Sequence, residues 1–265
     1  MTLHHFFLNK MNMREITFVF TFCIVFASKA QNICGKVIYK EESNIDLYYK
    51  TVSLMVFNQK ESYTKYIRTK DVDSFLEKKY TDENVQEIIK SSNTGTKYIY
   101  VTKKDTYFTD TTWKKTLTVR EDDFKWNWKI FNETKKVGDI SCQKAEIYFR
   151  GRYYTAWFAM DIPVAFGPWK FKGLPGLILE VYDSEKLWHM RAQKIDINNS
   201  GKCIISFNTK KILKAMSISE YLKEWERLVD ESIQKFASQL PKGATIDLNS
   251  KCEDCEAKRL EIFKQ

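Results

Sequence analysis

The sequence predicts an α+β fold. Its centre is a predominantly antiparallel, curved, half-barrel-like β-sheet. A long C-terminal helix and a shorter helical segment near residues 72–90 pack against it. Three observations lead there. Short runs rich in β-branched and aromatic residues follow one another across tight turns, and strands joined that way pair antiparallel. One long apolar stripe at helical spacing begins near Ser217. There is no strand–helix–strand alternation and no Gly-rich strand-to-helix turn, which removes Rossmann and P-loop readings.

The chain opens on an export signal. Lys10 and Arg14 precede an apolar run from Ile16 to Phe26, broken only by Thr17 and Thr21. Ser28 and Ala30 then stand at the −3 and −1 positions of a cut before Gln31. That is the grammar of a secretory signal peptide over residues 1–30. The run is far short of the roughly 20 apolar residues of a membrane-spanning helix. No later run is long enough to span a membrane either. Residues 31–243 read as a single domain, and residues 244–265 as a C-terminal tail with a CxxC.

Within the domain, Ile33–Tyr39 reads as a first strand. Leu54–Phe57 and Tyr63–Ile67 form a hairpin around Asn58-Gln59-Lys60. Phe75, Leu76, Tyr80, Val85, Ile88 and Ile89 follow helical spacing within 73–90. Tyr98–Thr102 and Tyr107–Thr111 flank a turn at Lys104-Asp105. Thr116–Arg120 and Lys125–Phe131 are rich in β-formers, with Trp126 and Trp128 alternating onto one face. Ala145–Phe149 and Tyr153–Ala159 flank Arg150-Gly151-Arg152. Gly176–Tyr182 and Leu187–Ile197 flank Asp183–Lys186, and Ile204–Asn208 adds a last strand. The long helix starts on a capping box, Ser217 with Glu220, and stops at Pro241 and Gly243.

Composition narrows the function classes. The net charge is +9. Residues 1–30 hold only Lys10, Arg14, Lys29 and Glu15 of the charged set, so a processed chain stays basic. The charges are interspersed, whereas nucleic-acid binding asks for a basic stripe, so no nucleic-acid partner is expected. Beyond residue 30 the only histidine is His189, and the cysteines are Cys34, Cys142, Cys203, Cys252 and Cys255. Zinc hydrolase sites use two or three histidines, and a Ser-His-Asp or Cys-His site would need His189 itself. His189 sits in a strand-like run and reads as structural. The five cysteines are disulfide candidates in an exported chain, with connectivity open. No catalytic residue, metal site or cofactor is assigned.

The stretch Asp161–Asp183 is the most distinctive. It contains Pro163, Pro168 and Pro175, three of the four prolines, and Gly167, Gly173 and Gly176, three of the nine glycines. Such a loop is specified by backbone shape more than by reactive groups. Gly167-Pro168 and Leu174-Pro175-Gly176 read as tight turns. Pro175-Gly176 suits a type II turn with Gly176 at positive φ. Trp169 and Phe171 would aim to one side, Lys170 and Lys172 to the other.

Gly173-Leu174-Pro175-Gly176-Leu177-Ile178 resembles the naming motif of the GLPGLI family of Bacteroidetes envelope proteins. Ala156-Trp157-Phe158, Asp161-Ile162-Pro163, Gly167-Pro168-Trp169-Lys170-Phe171 and Cys142-Gln143-Lys144-Ala145 are similar to that family too. The resemblance implies a signal-bearing envelope or periplasmic protein associated with TonB-dependent outer-membrane transport. It supplies no activity and no catalytic residues.

Two uses of the loop compete. Trp157, Trp169, Phe171 and Leu177 fill a core in one. In the other the loop borders a groove for a hydrophobic or peptide ligand, with Arg150, Arg152, Asp161 and Lys170 as its polar groups beside Trp157, Trp169 and Phe171. The function expected is a non-enzymatic envelope binding or accessory protein, its partner an outer-membrane transport protein or such a ligand. One alternative is a hydrolase with paired carboxylates among Asp161, Asp183, Glu180 and Glu146. Another is a metal-handling protein using Cys252 and Cys255.

Overall fold

The computed structural model describes residues 33–45, 47–67, 71–77, 88, 97–112, 114–122, 124–198, 209–241 and 261. The chain divides into units 1–32 and 33–265, and the described residues all fall in the second. The expected signal peptide, most of the 73–90 helical segment, the strand at 204–208, Cys203 and the Cys252/Cys255 pair lie outside the described residues.

Twelve strands form one open sheet. In chain order they are β1 (Cys34–Ser43), β2 (Tyr49–Phe57), β3 (Glu61–Ile67), β4 (Tyr98–Thr102), β5 (Thr106–Thr111), β6 (Thr116–Glu121), β7 (Lys129–Val137), β8 (Ile140–Phe149), β9 (Arg152–Ala159), β10 (Leu177–Asp183), β11 (Trp188–Asn198) and β12 (Met216–Ser217). Their order across the sheet is β12-β6-β5-β4-β3-β2-β1-β11-β10-β9-β8-β7. Two antiparallel meanders, β1–β6 and β7–β11, therefore join where β1 pairs with β11, from Cys34↔Asn198 to Ser43↔Trp188. The short β12 pairs parallel with β6. This is the α+β, mostly antiparallel sheet that the sequence predicts.

Local chemistry explains the hairpins. Asn58 Oδ1 accepts from the amides of Lys60 and Glu61 at 2.7 and 3.0 Å, closing the β2–β3 turn. Phe149 pairs with Arg152, leaving Arg150 and Gly151 as a two-residue turn, both at positive φ. That is the turn whose twist suits a hairpin. The long helix, Ile218–Ser238, begins at Ser217 with the full capping box. A shorter helix spans Val72–Glu77.

Each face of the sheet buries its own apolar cluster. On the face here called inner, Tyr39, Phe57, Phe149, Tyr154, Trp188 and Met190 meet the 161–176 loop and Leu228 of the long helix. On the outer face of the first meander, Ile38, Val52, Leu54 and Tyr98 meet Val72 of the short helix. The loop folds back on itself through a Phe166–Lys172 bridge and a Gly173 N–H to Ala165 O bond of 3.0 Å. Its tip brings Trp169 and Phe171 together with ring centroids 5.3 Å apart, both buried. Burying a phenylalanine this fully stabilises by about 1.5–3 kcal/mol.

Four local expectations change. Residues 125–128 are not a strand, and β7 starts at Lys129. Trp126 and Trp128 do share a side, stacked 6.2 Å apart, and both pack on Phe171. Ring packing on the loop replaces ladder pairing there. A β7–β8 hairpin, turning at Gly138 with φ +60, extends well upstream of the predicted Ala145 start. Gly176 does not take positive φ, whereas Gly173 does at +93°. Gly176 is required instead by closeness, since a Cβ there would lie 2.1 Å from Ala159 O. Finally, Cys142 is a buried free thiol and leaves the disulfide candidates.

Candidate functional site

The sheet register assembles a polar cluster on the outer face. Directly opposed residues of neighbouring strands share a face. Glu42 of β1 opposes His189 of β11, and His189 opposes Tyr182 of β10. One step along, Arg191 opposes Glu180, and Glu180 opposes Trp157 of β9. Glu180, Tyr182 and His189 thus converge from one hairpin, with Trp157 beside them.

Their contacts are specific. His189 Nε2 lies 2.9 Å from Glu180 Oε1, and Lys135 Nζ of β7 lies 2.7 Å from Glu180 Oε2. Lys135 Nζ also sits 4.5 Å from the centre of the Trp157 ring and 5.8 Å from that of Tyr182, within cation–π range. Trp157 Nε1 donates to Tyr182 Oη at 3.4 Å. The Tyr182 and His189 rings meet edge-to-face at 5.8 Å. Burial alone would raise the Glu180 pKa. The hydrogen bonds and charges of His189 and Lys135 outweigh it and bring the carboxyl down to about 2.

A cavity of about 400 Å³ opens beside this cluster. Glu42, Asn44, Tyr48, Tyr182, Lys186 and His189 are among its lining residues. The size falls in the range of small-molecule sites, and aromatic faces alternate there with hydrogen-bonding groups. His189 keeps 35% of its side chain exposed while Glu180 is buried. Glu180 therefore acts as a fixed anion that orients a reachable imidazole. Among the described residues, no group of three or more His, Cys, Asp or Glu side chains could hold a metal ion.

The depressed Glu180 pKa has a measurable consequence. A carboxyl whose pKa falls on folding stabilises the fold above its unfolded value, and that contribution disappears as pH drops through the folded value. The window here runs from about 4.5 down to about 2. Wild type should exceed Glu180→Gln in urea-unfolding stability at neutral pH, and the gap should close across that window. A gap independent of pH would show that the carboxylate charge is not what stabilises.

The residues singled out in the sequence fall in separate places. Trp169 and Phe171 are inner-face core. Lys170 is buried among ion pairs with Glu121 and Glu261, and Arg150 pairs with Glu121 beside it. Arg152 binds Asp183 and Glu185 at 3.2 and 3.0 Å. Asp161 is exposed in the turn after β9. Trp157 alone of this set joins the outer-face cluster. Gly167 packs against Ile178, and Pro168 heads the loop tip, where its carbonyl accepts from Phe171 N at 3.3 Å. Leu174, Leu177 and Ile178 are core. Sequence reasoning missed Lys135, Tyr48, Tyr182 and Glu42. The Tyr182–His189 pair was within reach, because the turn at 183–186 sets the register of its hairpin. Glu42 and Lys135 come from strands whose placement no nearby turn reveals.

Residues 150–180 match a family model described as "Protein of unknown function (Porph_ging)". No curated protein matches the chain. Among solved structures, the chain is similar to PNGF-II in its C2 crystal form, with 12% identity and a TM-score of 0.44 over 70% of this chain and 31% of that one. The P21 form gives 12% identity and a TM-score of 0.45, over 73% and 33%. An uncharacterized conserved protein from Thermus thermophilus gives 5% identity and a TM-score of 0.35, over 71% and 91%. The chain spans about a third of the length of the PNGF-II chains.

Proposed function

We propose that this chain is an exported, non-enzymatic binding or accessory protein of a bacterial cell envelope, of the GLPGLI kind associated with Bacteroidetes. Its ligand site is the outer-face cavity at Tyr48, Tyr182 and His189. The observation that carries this reading is that cavity, with its aromatic walls and an imidazole oriented by a buried carboxylate. On the inner face, Trp169, Phe171 and Leu174 of the loop are buried in the core. The motif loop is the scaffold in this reading rather than the contact surface. Cys34 is disulfide-bonded, which suits an oxidising, extracytoplasmic compartment. The partner that goes with the reading is a TonB-dependent outer-membrane transport protein.

The hydrolase alternative is the weaker one. A glycosidase-type acid needs a carboxyl with raised pKa, and Glu180 is shifted the opposite way, against its burial, by its His189 and Lys135 contacts. Asp183 is fully buried and engaged by Arg152 and the Trp188 amide.

The test is purification of the tagged full-length chain from its host's envelope, with mass spectrometry of retained proteins and small molecules. Wild type should retain a stoichiometric envelope protein or small molecule, and Tyr182→Ala should lose it. Recovery of the chain alone, or retention unchanged by Tyr182→Ala, would overturn the assignment.

A further inference from the structure

A second site lies on the inner face, apart from the cavity. Lys170 is a lysine with only 2% of its surface exposed. Its Nζ lies 2.8 Å from each carboxylate oxygen of Glu261 and 2.9 Å from Glu121 Oε2. The Phe108 ring centre is 4.0 Å from the same nitrogen, and that of Trp169 5.4 Å. Arg150 bonds Glu121 through its guanidinium, and its Nε lies 3.9 Å from Glu261.

The origins of these four groups differ. Glu121 ends β6, Arg150 forms the β8–β9 turn, and Lys170 sits at the tip of the motif loop. All three belong to the sheet and the loop packed on it. Glu261 comes from the C-terminal end of the chain. Lys170 bonds both carboxylates, so without Glu261 this buried ammonium would share the single carboxylate of Glu121 with Arg150. Removing one partner of a buried charge is strongly unfavourable, so the space left beside Lys170 favours an anion.

The two carboxylates are unequal. Glu121 is buried too, but Lys170 and Arg150 more than compensate and lower its pKa. Burial, reinforced by repulsion from Glu121, raises that of Glu261 in spite of Lys170 and Arg150. Glu121 behaves as the resident counter-ion and Glu261 as the guest.

We propose that Lys170 and Arg150, walled by Phe108 and Trp169, form a carboxylate-binding site that Glu261 of this same chain occupies as an internal ligand. The ligand class is a small monocarboxylate, the group Glu261 presents. The site does not depend on the outer-face cavity, and neither proposal needs the other.

The test uses the full chain carrying Glu261→Ala, with acetate as the probe. Thermal unfolding is followed in sodium acetate, in sodium chloride of equal ionic strength, and in acetamide. The variant should melt about 5 °C or more below wild type in chloride. Acetate should restore most of that loss, acetamide should not, and wild type should show no acetate-specific rise. Adding Lys170→Met to Glu261→Ala should abolish the acetate response. If Glu261→Ala does not fold in chloride, the yield of folded protein on refolding in acetate against chloride becomes the readout. Glu261→Gln, which fills the space without the charge, should be insensitive to acetate. An unchanged melting temperature on Glu261→Ala would overturn the proposal. So would equal responses to acetate and chloride, or an acetate response that survives Lys170→Met.

Discussion

Gly176→Ala is expected to destabilise the protein by about 3 kcal/mol or more. The added Cβ would lie 2.1 Å from the Ala159 carbonyl oxygen, 2.6 Å from its carbon and 3.1 Å from Met160 Cα. All three are backbone atoms, so no side chain can rotate aside. The backbone has little room to yield. Leu177 pairs with Ala159 in the β9–β10 ladder and donates to Ile162 O at 2.9 Å, and Ala159 and Leu177 are both fully buried. Relief would require opening the ladder at the point where the loop enters the sheet. Gly138→Ala is the control. Gly138 has a positive φ of 60° and nothing within 4 Å of the added Cβ, so only torsional strain of about 1–2 kcal/mol applies. Urea unfolding of both variants measures the difference. A Gly176→Ala protein no less stable than Gly138→Ala would show that the close approach is not what requires glycine there.

Asp183→Ala should cost about 3–5 kcal/mol, the range for breaking a buried ion pair from one side. Asp183 is 0% exposed and closes the β10–β11 turn. Its Oδ1 accepts the Trp188 amide at 2.7 Å, and its Oδ2 accepts Arg152 at 3.2 Å. Alanine would strand a buried N–H and take from the buried Arg152 its buried carboxylate; Glu185, which also pairs with it, is largely exposed. The double variant Asp183→Ala/Arg152→Met should cost less than the sum of the two single ones, because both single changes break the same Asp183–Arg152 pair. Strict additivity in a denaturation cycle would rule out that coupling. A fold this sensitive at the turn would also lose Tyr182–His189 register, so the cavity should fail together with stability.

The motif loop shows how much could be read locally. Its prolines and glycines announced a specified shape, and Trp169 and Phe171 were legible as neighbours aimed one way. The lysines between them were not legible. Spacing sets Lys170 and Lys172 opposite the two rings without saying what they meet there, and both are buried. Lys172 Nζ reaches the carbonyls of Thr102, Lys103 and Lys104 at 3.1–3.4 Å, capping the β4–β5 turn. Their partners lie tens of residues away in the chain, and nothing near Lys170 or Lys172 points to them. Residues 125–128 misled for the converse reason. Tryptophans two apart carry strand propensity, but propensity reflects fit to a pleated surface, and here the surface they fit is the loop.

Elements whose causes lie within a few residues can be read directly from the amino-acid order. The Arg150-Gly151 hairpin, the Asn58 turn, the capping box at Ser217 and the antiparallel habit of the strands are of this kind. Each rests on backbone torsions or side-chain-to-backbone hydrogen bonds between near neighbours. The tertiary structure alone decided that β1 pairs with β11, which makes one sheet of two meanders and sets Glu42 beside His189. It also decided that Lys135 reaches Glu180 and that Lys170 meets Glu261. Such pairings bring together residues far apart in the chain, and the loop-closure entropy they cost is offset only by burial across whole faces. No local pattern records which distant surface completes that burial.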